Sequence, residues 1–317
     1  MKTYASAGEI SPALERPLVT LGNFDGVHRG HQFVIGEVLK RSAQTGRPAL
    51  LVTFHPHPLK IIRPQSAPPL LISHEEKMAR LEALGVEHAV VIPFTPAFAA
   101  LSAERFVRDV LHRDLKASAV FVGNNFNFGR GREGNVGLLR RMGRDLRFDV
   151  PELPDLLILG SPASSSRIRR AVRSGEVELA RELLGRPFTV PGRVIRGDAR
   201  GAALGYPTAN LSPSAEILPA DGVYVTRARA FGAEHDAVSN VGSRPTFEGA
   251  GFAIETHFLD RAPELSGLYD EWIEIAFLAR LRSEVRFDSA DQLKRQIAAD
   301  VARARRFFEQ LAPPGGG

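Results

Sequence analysis

The sequence contains no cysteine among its 317 residues. Disulfides, thiolate nucleophiles and cysteine-ligated zinc sites are therefore excluded, and the composition fits a reducing compartment. The opening stretch "MKTYASAGEISPALERPLV" lacks the apolar core of a secretory signal. No apolar run approaches the ~20 residues that a membrane-spanning helix needs. We therefore expect a cytoplasmic protein without a membrane-bound segment.

The sequence is basic, with a net charge of +5 and an isoelectric point near 9.8. The arginines are scattered among Ala, Gly and Leu, and no Lys/Arg block is interleaved with aromatic residues. This distribution favours anionic small ligands and compositional bias, so we expect no nucleic-acid partner. The hydrophobic fraction of 44% is typical of a globular protein. The length of 317 residues is sufficient for two domains or one large domain. The pattern specifies no oligomeric state.

The first half of the sequence alternates short apolar runs with helical patterns. The runs are typical of strands buried on both faces, and they cover residues 17–21, 49–54, 88–94 and 118–123. The helical patterns cover residues 30–43, 73–84 and 102–112, with Ser73 and Ser102 as N-cap candidates. This alternation predicts a Rossmann-like parallel α/β sheet with right-handed crossovers.

The pattern changes near residue 186. Residues 165–185 predict two short helices broken at Ser174 and Gly175, and "RPFTVPG" follows as a junction. Strand-like runs without intervening helical patterns then cover residues 189–196, 222–230, 236–241, 252–260 and 271–279. They predict a small antiparallel β-barrel. An amphipathic helix closes it with the apolar stripe Leu293, Ile297, Val301, Phe308 and Leu311. We expect domains at 1–185 and 186–317 and a disordered "APPGGG" tail.

The motif "GNFDGVHRGH" at 22–31 follows the first apolar run. In an open α/β sheet, ligands bind at the carboxyl ends of the strands, and a helix N-terminus suits phosphate. Because residues three apart share a helix face, His28 and His31 are predicted to face one phosphate. Gly30 between them allows close approach to the backbone. The alternative is a pair of surface or capping histidines.

The motif resembles the G-x-F-D-x-x-H-x-G-H signature of nucleotidyltransferases related to class I tRNA synthetases. The resemblance implies transfer of a nucleotidyl group with release of pyrophosphate. It also implies that Gly22, Asn23 and Phe24 contact ATP beside the two histidines. The signature alone does not choose between pantetheine-phosphate, nicotinamide-mononucleotide, cytidylyl and FMN adenylyl transfer.

Three further segments narrow the choice: "TFHPHP" (53–58), "VGNNFNFGRGREGN" (122–135) and "ASSSRIRR" (163–170). Together they resemble the FMN adenylyltransferase half of prokaryotic bifunctional riboflavin kinase/FAD synthetases. The resemblance implies that His57 and Asn125 contact the flavin. It implies a triphosphate site of hydroxyls and a guanidinium at Ser164, Ser165, Ser166 and Arg169. The chain departs from the family where Asn125 and Asn127 replace a common Asp and Arg, and where Ser166 replaces Thr.

The second half contains "GRVIRGDARGAALGYPTANL" at 192–211, which is not a P-loop. Backbone N–H groups of a loop with Gly197 and Gly201 can surround phosphates. Thr208 and Asn210 offer oxygen ligands suited to Mg²⁺. The alternative is a glycine-rich turn between barrel strands.

The same stretch resembles the riboflavin kinase signature, and "GVY" (222–224), "SNVGSRPTF" (239–247), "IETHFLD" (254–260) and "LYDEW" (268–272) follow in the family's order. The resemblance implies that Glu255 is the catalytic base and that Asn210 acts beside it. Ala202 stands where the signature usually has Arg, so either phosphate binding is weakened or the role of that Arg passes to Arg196 or Arg200, and Asp270 replaces a common Gly.

The two resemblances together imply a bifunctional enzyme of FAD biosynthesis. Riboflavin, FMN and ATP are then the substrates, Mg²⁺ accompanies ATP, and FMN and FAD are the products. Two alternatives stay open at this point. Either one half alone is active, or the chain is a flavin- or nucleic-acid-binding regulator without catalysis.

Overall fold

The apolar runs of the first half form a five-stranded sheet in the computed structural model, which describes residues 1–10, 14–197, 200–246, 249–259 and 265–311. The strand order is β1-β4-β3-β2-β5, and every pairing is parallel. The strands are β1 (Lys2–Tyr4), β2 (Leu18–Leu21), β3 (Ala49–His55), β4 (His88–Pro93) and β5 (Ala119–Phe121), followed by the two-residue pairs β6 (Asn127–Phe128) with β7 (Gly134–Asn135) and β8 (Leu157–Ile158) with β9 (Ser161–Pro162). The predicted Rossmann-like architecture is confirmed.

Helices connect these strands. They are α1 (Arg29–Thr45), α2 (Pro58–Ile62), α3 (His74–Ala83), α4 (Pro96–Ala99), α5 (Ala103–Arg105), which continues as a π-helix over Phe106–Asp114, and α6 (Val136–Leu146). Ser73 and Ser102 cap their helices as predicted, since each hydroxyl accepts from the backbone N–H three residues later, at 3.1 and 3.3 Å. Among the described residues, none of the helices combines the length and apolarity needed to cross a bilayer.

Strand β1 and helix α6 are among the elements of this unit that are absent from the sequence-based prediction. β1 has three residues, too few to show a period, and among the described strands it pairs with β4 alone. Helix α6 buries Leu139, Met142 and Gly143 at helical spacing, but two glycines reduce its helix propensity. Packing of its apolar face against the rest of the core therefore stabilises α6.

The second half folds as a closed antiparallel barrel with the order β10-β11-β14-β13-β12-β15. Its strands are β10 (Phe188–Ile195), β11 (Ala209–Pro213), β12 (Gly222–Ala230), β13 (Ala233–Thr246), β14 (Gly249–Phe258) and β15 (Trp272–Ser283). The predicted small barrel is confirmed, with β11 as an additional strand. Short helices α9 (Arg200–Ala203) and α10 (Leu265–Leu268) interrupt a region for which the sequence predicts no helix.

Along each barrel strand, successive side chains point alternately into and out of the barrel. Apolar side chains such as Tyr224, Ile254 and Phe277 are fully buried. Three hydroxyl groups are buried with them and satisfy one another: Ser239 lies 2.8 Å from both Thr226 and Thr256. Because Ile254 and Thr256 point inward, Glu255 between them points outward.

Helices α7 (Ser165–Ser174) and α8 (Val177–Leu184) are broken at Ser174 and Gly175, as predicted. The chain divides into two compact units between Ser165 and Ser166, twenty residues before the expected boundary at 185/186. The reason is that α8 packs against β10 and β15, and Glu178 accepts from the Arg280 backbone N–H at 2.9 Å. The boundary between the two activities remains a prediction.

Helix α11 (Ala290–Leu311) packs on the barrel through Val301 and Phe308, as predicted. Its buried face also contains a charge. The carboxylate of Asp300, 2% exposed, accepts from the Arg282 guanidinium at 2.9 and 2.8 Å. Leu311, by contrast, is exposed at the helix end, so the predicted stripe is one residue too long. The "APPGGG" tail lies outside the described residues.

Candidate active sites

The turn between β2 and α1 carries the first group of predicted site residues. It leaves the carboxyl edge of the sheet at a strand flanked by β3 and β5, where such sheets bind ligands. Its backbone has positive φ angles of 50° at Phe24 and 41° at Val27, and strain of this kind clusters at functional sites. The buried Phe24 ring covers Gly22, because a Cβ added there would lie 3.1 Å from Phe24 Cζ.

His28 and His31 are brought together at the start of α1, as the spacing predicts. Their rings stack with centroids 3.6 Å apart and planes 20° apart, and the Phe24 ring meets His31 edge-on at 5.2 Å. His28 also caps the helix, since its Nδ1 accepts from the His31 backbone N–H at 3.3 Å. The prediction left capping as an alternative, and the structure contains both features. An accepting Nδ1 places the proton of a neutral His28 on Nε2.

The environment of His31 favours the neutral imidazole. Burial, followed by the charges of His28 and Lys77, lowers the pKa of His31 well below 6.5. Its Nδ1 is buried and has no hydrogen-bond partner in the part of the chain that the structure describes. Gly30 allows close packing at this helix start, because a Cβ there would lie 3.2 Å from the His28 ring and 3.4 Å from the Ala163 carbonyl oxygen. His31 can therefore hydrogen-bond an anionic ligand as a neutral imidazole.

Lys77 is a residue that the sequence reasoning missed. It lies on α3 with 8% of its surface exposed, and its Nζ donates to Thr53 Oγ1 at 3.1 Å. It also donates to the carbonyl oxygens of Asn23 and Phe54, both at 3.4 Å. One signal was available. Lys77 is four residues before the fully buried Leu81, so it occupies the apolar face of a predicted helix.

Ser165 of the predicted triphosphate segment contacts the same turn. The Ser165 hydroxyl donates to the Asp25 carbonyl oxygen at 3.0 Å, and Ser164 precedes it as a partly buried residue. Ser166, which is exposed, and Arg169, which is buried, belong to the C-terminal unit.

The predicted flavin contacts lie on the segments that follow β3 and β5. His57 caps α2, because its Nδ1 accepts from the Leu59 backbone N–H at 3.2 Å. Asn125 lies in an exposed turn, and its carbonyl oxygen accepts from Asn127 Nδ2 at 2.7 Å. Since β2 lies between β3 and β5, the histidine turn lies between these two segments at one edge of the sheet.

The predicted kinase residues form a row on the outer face of the barrel. Asn210 on β11 pairs directly with Glu255 on β14, and Glu255 pairs on its other side with Asn240 on β13. Side chains directly opposite each other on neighbouring strands are close enough to interact. Asn240 is the second residue that the sequence reasoning missed, although it lies in the quoted segment "SNVGSRPTF". Only the strand register reveals its place beside Glu255.

The glycine-rich loop packs directly against the predicted magnesium ligands. A Cβ on Gly197 would overlap the Asn210 carboxamide, 2.6 Å from its Oδ1, and one on Gly201 would lie 3.2 Å from Thr208 Oγ1. The Tyr206 N–H donates to the Gly201 carbonyl at 2.8 Å, which folds the loop back. Thr208 and Asn210 supply oxygen donors of the type that Mg²⁺ accepts beside nucleotide phosphates, so this donor set fits a nucleotide-bound magnesium ion.

The structure describes the positions of two residues that depart from the family signature, Asp270 and Ala202. Asp270 adopts φ 69°, the left-handed region that glycine favours and that Asp tolerates better than most residues. Ala202 is exposed on the short helix α9. The Arg196 guanidinium stacks 5.3 Å above the Tyr269 ring, whereas the Arg200 side chain lies outside the described residues.

Comparisons with known proteins cover both halves. The FAD synthetase family model matches residues 10–167, and the riboflavin kinase family model matches residues 184–308. The bifunctional riboflavin kinase/FMN adenylyltransferase of Escherichia coli strain K12 is 36% identical over 315 residues, which cover 99% of this chain and 100% of that protein. Its namesake in Pseudomonas fluorescens is 37% identical over 290 residues, covering 91% and 92%.

A crystal structure from Streptococcus pneumoniae, described as a macrolide-efflux protein, matches with a TM-score of 0.84 and 29% identity. It covers 96% of this chain and 98% of that one, so the fold is shared over nearly the whole length. The two family matches and the full-length identities establish that the chain belongs to the bifunctional riboflavin kinase/FMN adenylyltransferase family.

Proposed function

We propose that each activity of this family is carried out by the site described in its own half of the chain, with residues 1–185 responsible for adenylyl transfer and 186–317 for the kinase reaction. The chain makes FAD in two steps: riboflavin and ATP give FMN, and FMN and a second ATP give FAD and pyrophosphate. The direct pairing of Asn210 with Glu255, beside the glycine loop, is the observation that carries the assignment of the kinase site.

In the kinase reaction, Glu255 accepts the proton of the riboflavin 5′-hydroxyl as that oxygen bonds to the γ-phosphorus of ATP and the bond to ADP breaks. Thr208 and Asn210 would hold a magnesium ion, which would neutralise the charge of the ATP phosphates. Backbone groups of the loop at Gly197 and Gly201 surround the nucleotide phosphates. The outward direction of Glu255 supports this role because substrate reaches it from outside the filled barrel.

In the adenylyl transfer, a phosphate oxygen of FMN attacks the α-phosphorus of ATP and pyrophosphate leaves. No protein nucleophile is required. His28 and His31 hydrogen-bond the reacting phosphates, and the lowered pKa of His31 supports a neutral donor. Catalysis here consists of positioning and electrostatic stabilisation.

The substrate contacts of this half complete the proposal. The turn at Gly22, Asn23 and Phe24 and the helix start at Gly30 hold ATP, and the triphosphate is bound by Ser164, Ser165, Ser166 and Arg169. His57 and Asn125 contact the flavin. We also propose a cytoplasmic location, which suits an ATP-dependent enzyme without cysteine.

The test is chromatography of riboflavin, FMN and FAD after incubating the full-length chain with ATP and Mg²⁺. Glu255→Gln is expected to abolish FMN formation from riboflavin but to leave FAD formation from supplied FMN unchanged. His31→Gln is expected to do the reverse. Equal loss of both activities in either variant would contradict the assignment of separate sites.

A further inference from the structure

The side chain of Lys77 ends inside the N-terminal unit, between the carboxyl ends of β2 and β3. Its ammonium group contacts the Asn23 carbonyl after β2 and both the hydroxyl of Thr53 and the carbonyl of Phe54 on β3. The Thr53 hydroxyl in turn donates to the Asn23 carbonyl at 3.4 Å. One cation therefore joins the histidine-bearing turn to the neighbouring strand.

Keeping an amine in this position is costly to the fold. Burial lowers the pKa of Lys77 from 10.5 to about 8, against the opposing charge of Asp25. Asp25, itself 4% exposed, accepts from the Leu71 N–H at 3.0 Å, so this carboxylate also fastens the turn to the segment before α3. An apolar residue would occupy this buried helix position at a lower desolvation cost. The ammonium group therefore indicates a functional role for Lys77.

Lys77 is connected to the histidine pair through Asn23 and Phe24. Asn23 immediately precedes Phe24, whose positive φ of 50° turns its buried ring onto His31. His31 in turn stacks on His28 at 3.6 Å. A change at the Asn23 carbonyl thus reaches both imidazoles through Phe24.

We propose that Lys77 is a positioning residue for FMN adenylylation, which holds the Asn23–Phe24 turn so that His28 and His31 meet the reacting phosphates of ATP. The inference rests on the proposed role of the histidine pair. Lys77 acts through Asn23 and Phe24, and it binds neither substrate in this role. Displacement of catalytic groups by about 1 Å typically lowers rates by ~10²-fold, which sets the size of the expected effect.

The experiment compares Lys77→Met, which removes the donors, with Lys77→Gln, which keeps amide donors without charge. Lys40→Met is the matched control, because Lys40 is exposed on α1. Steady-state FMN adenylylation is measured on full-length protein, with active sites counted and riboflavin kinase activity recorded on the same sample. We expect Lys77→Met to lower kcat by ~30- to 100-fold with less than about a threefold change in the KM for ATP. Lys77→Gln should retain an intermediate kcat, and Lys40→Met should match the parent.

Two results overturn the proposal. One is a kcat within about threefold of the parent in both Lys77 variants. The other is a loss confined to the number of active sites, which would mark Lys77 as structural only. If Lys77→Met does not fold, the Gln variant decides between these outcomes. A His31→Gln variant separates the two claims: normal FAD formation in that variant refutes the role of the histidine pair, independently of the result at Lys77.

Discussion

Replacing Gly197 with alanine tests whether the glycine loop and Asn210 form one site. The backbone of Gly197 lies outside the left-handed region, since it is not among the residues with positive φ, so alanine adds no backbone strain. Its Cβ would, however, lie 2.6 Å from Asn210 Oδ1. Asn210 is 6% exposed and paired with Glu255 across the strands. The carboxamide therefore has to leave its position when the methyl group is added.

The magnitude follows from the contact that is lost. A hydrogen bond to a charged group contributes about 1.5–3 kcal/mol, which corresponds to about 10- to 150-fold in kcat/KM. We expect Gly197→Ala to lower kcat/KM for riboflavin phosphorylation by this factor when Mg-ATP is varied. FMN adenylylation by the same sample should stay within about twofold. Gly36→Ala is the control, because a Cβ at Gly36 meets nothing within 4 Å and alanine favours the helix.

A double-mutant cycle assigns the effect to Asn210. In an Asn210→Ala background the added methyl group has room, so Gly197→Ala is expected to change kcat/KM by less than about twofold. The reasoning is refuted if Gly197→Ala retains full kinase activity, or if it causes the same loss with and without the Asn210 side chain.

The remaining predictions concern the stability of the C-terminal unit, measured by urea unfolding of the full chain. Asp270→Gly should be more stable than Asp270→Ala by about 1 kcal/mol. Both variants lose an exposed ion pair, but only alanine is strained in the left-handed conformation at φ 69°. Equal stabilities of the two variants would contradict this strain. Asp300→Ala should lower the free energy of unfolding by about 3–5 kcal/mol, since it leaves Arg282 without its buried partner. Glu234→Ala, which breaks partly exposed ion pairs with Arg227 and Arg229 in the same unit, should cost less than about 1 kcal/mol. Similar losses in the two variants would show that burial of Asp300 is unimportant.

The sequence predicted those site features that depend on neighbours along the chain. The stacking of His28 on His31 follows from a three-residue spacing at a helix start, which local geometry determines. The break between α7 and α8 likewise follows from a local Ser-Gly pair. The fold class was predictable because periodicity distinguishes buried parallel strands from antiparallel ones.

Features that depend on distant pairing were not predictable from one sequence. The place of Asn240 beside Glu255 requires the register of β13 against β14, and no local pattern fixes that register. Lys77 is similar, because its three acceptors lie on segments that precede it by more than 20 residues. A lysine on the apolar face of a helix is a detectable signal, but only the tertiary structure shows what it holds.

Two activities on one chain make each variant its own control. The apolar clusters around the parallel sheet use residues up to 153 in the described sequence, whereas the cluster beneath α11 uses residues from 223 onward. A local change in one unit therefore alters one rate constant, whereas loss of the whole chain through aggregation or proteolysis lowers both activities in proportion. The ratio of riboflavin phosphorylation to adenylylation of supplied FMN is independent of enzyme concentration. It distinguishes a displaced catalytic group from a destabilised chain, and this distinction is what the Lys77 and Gly197 experiments require.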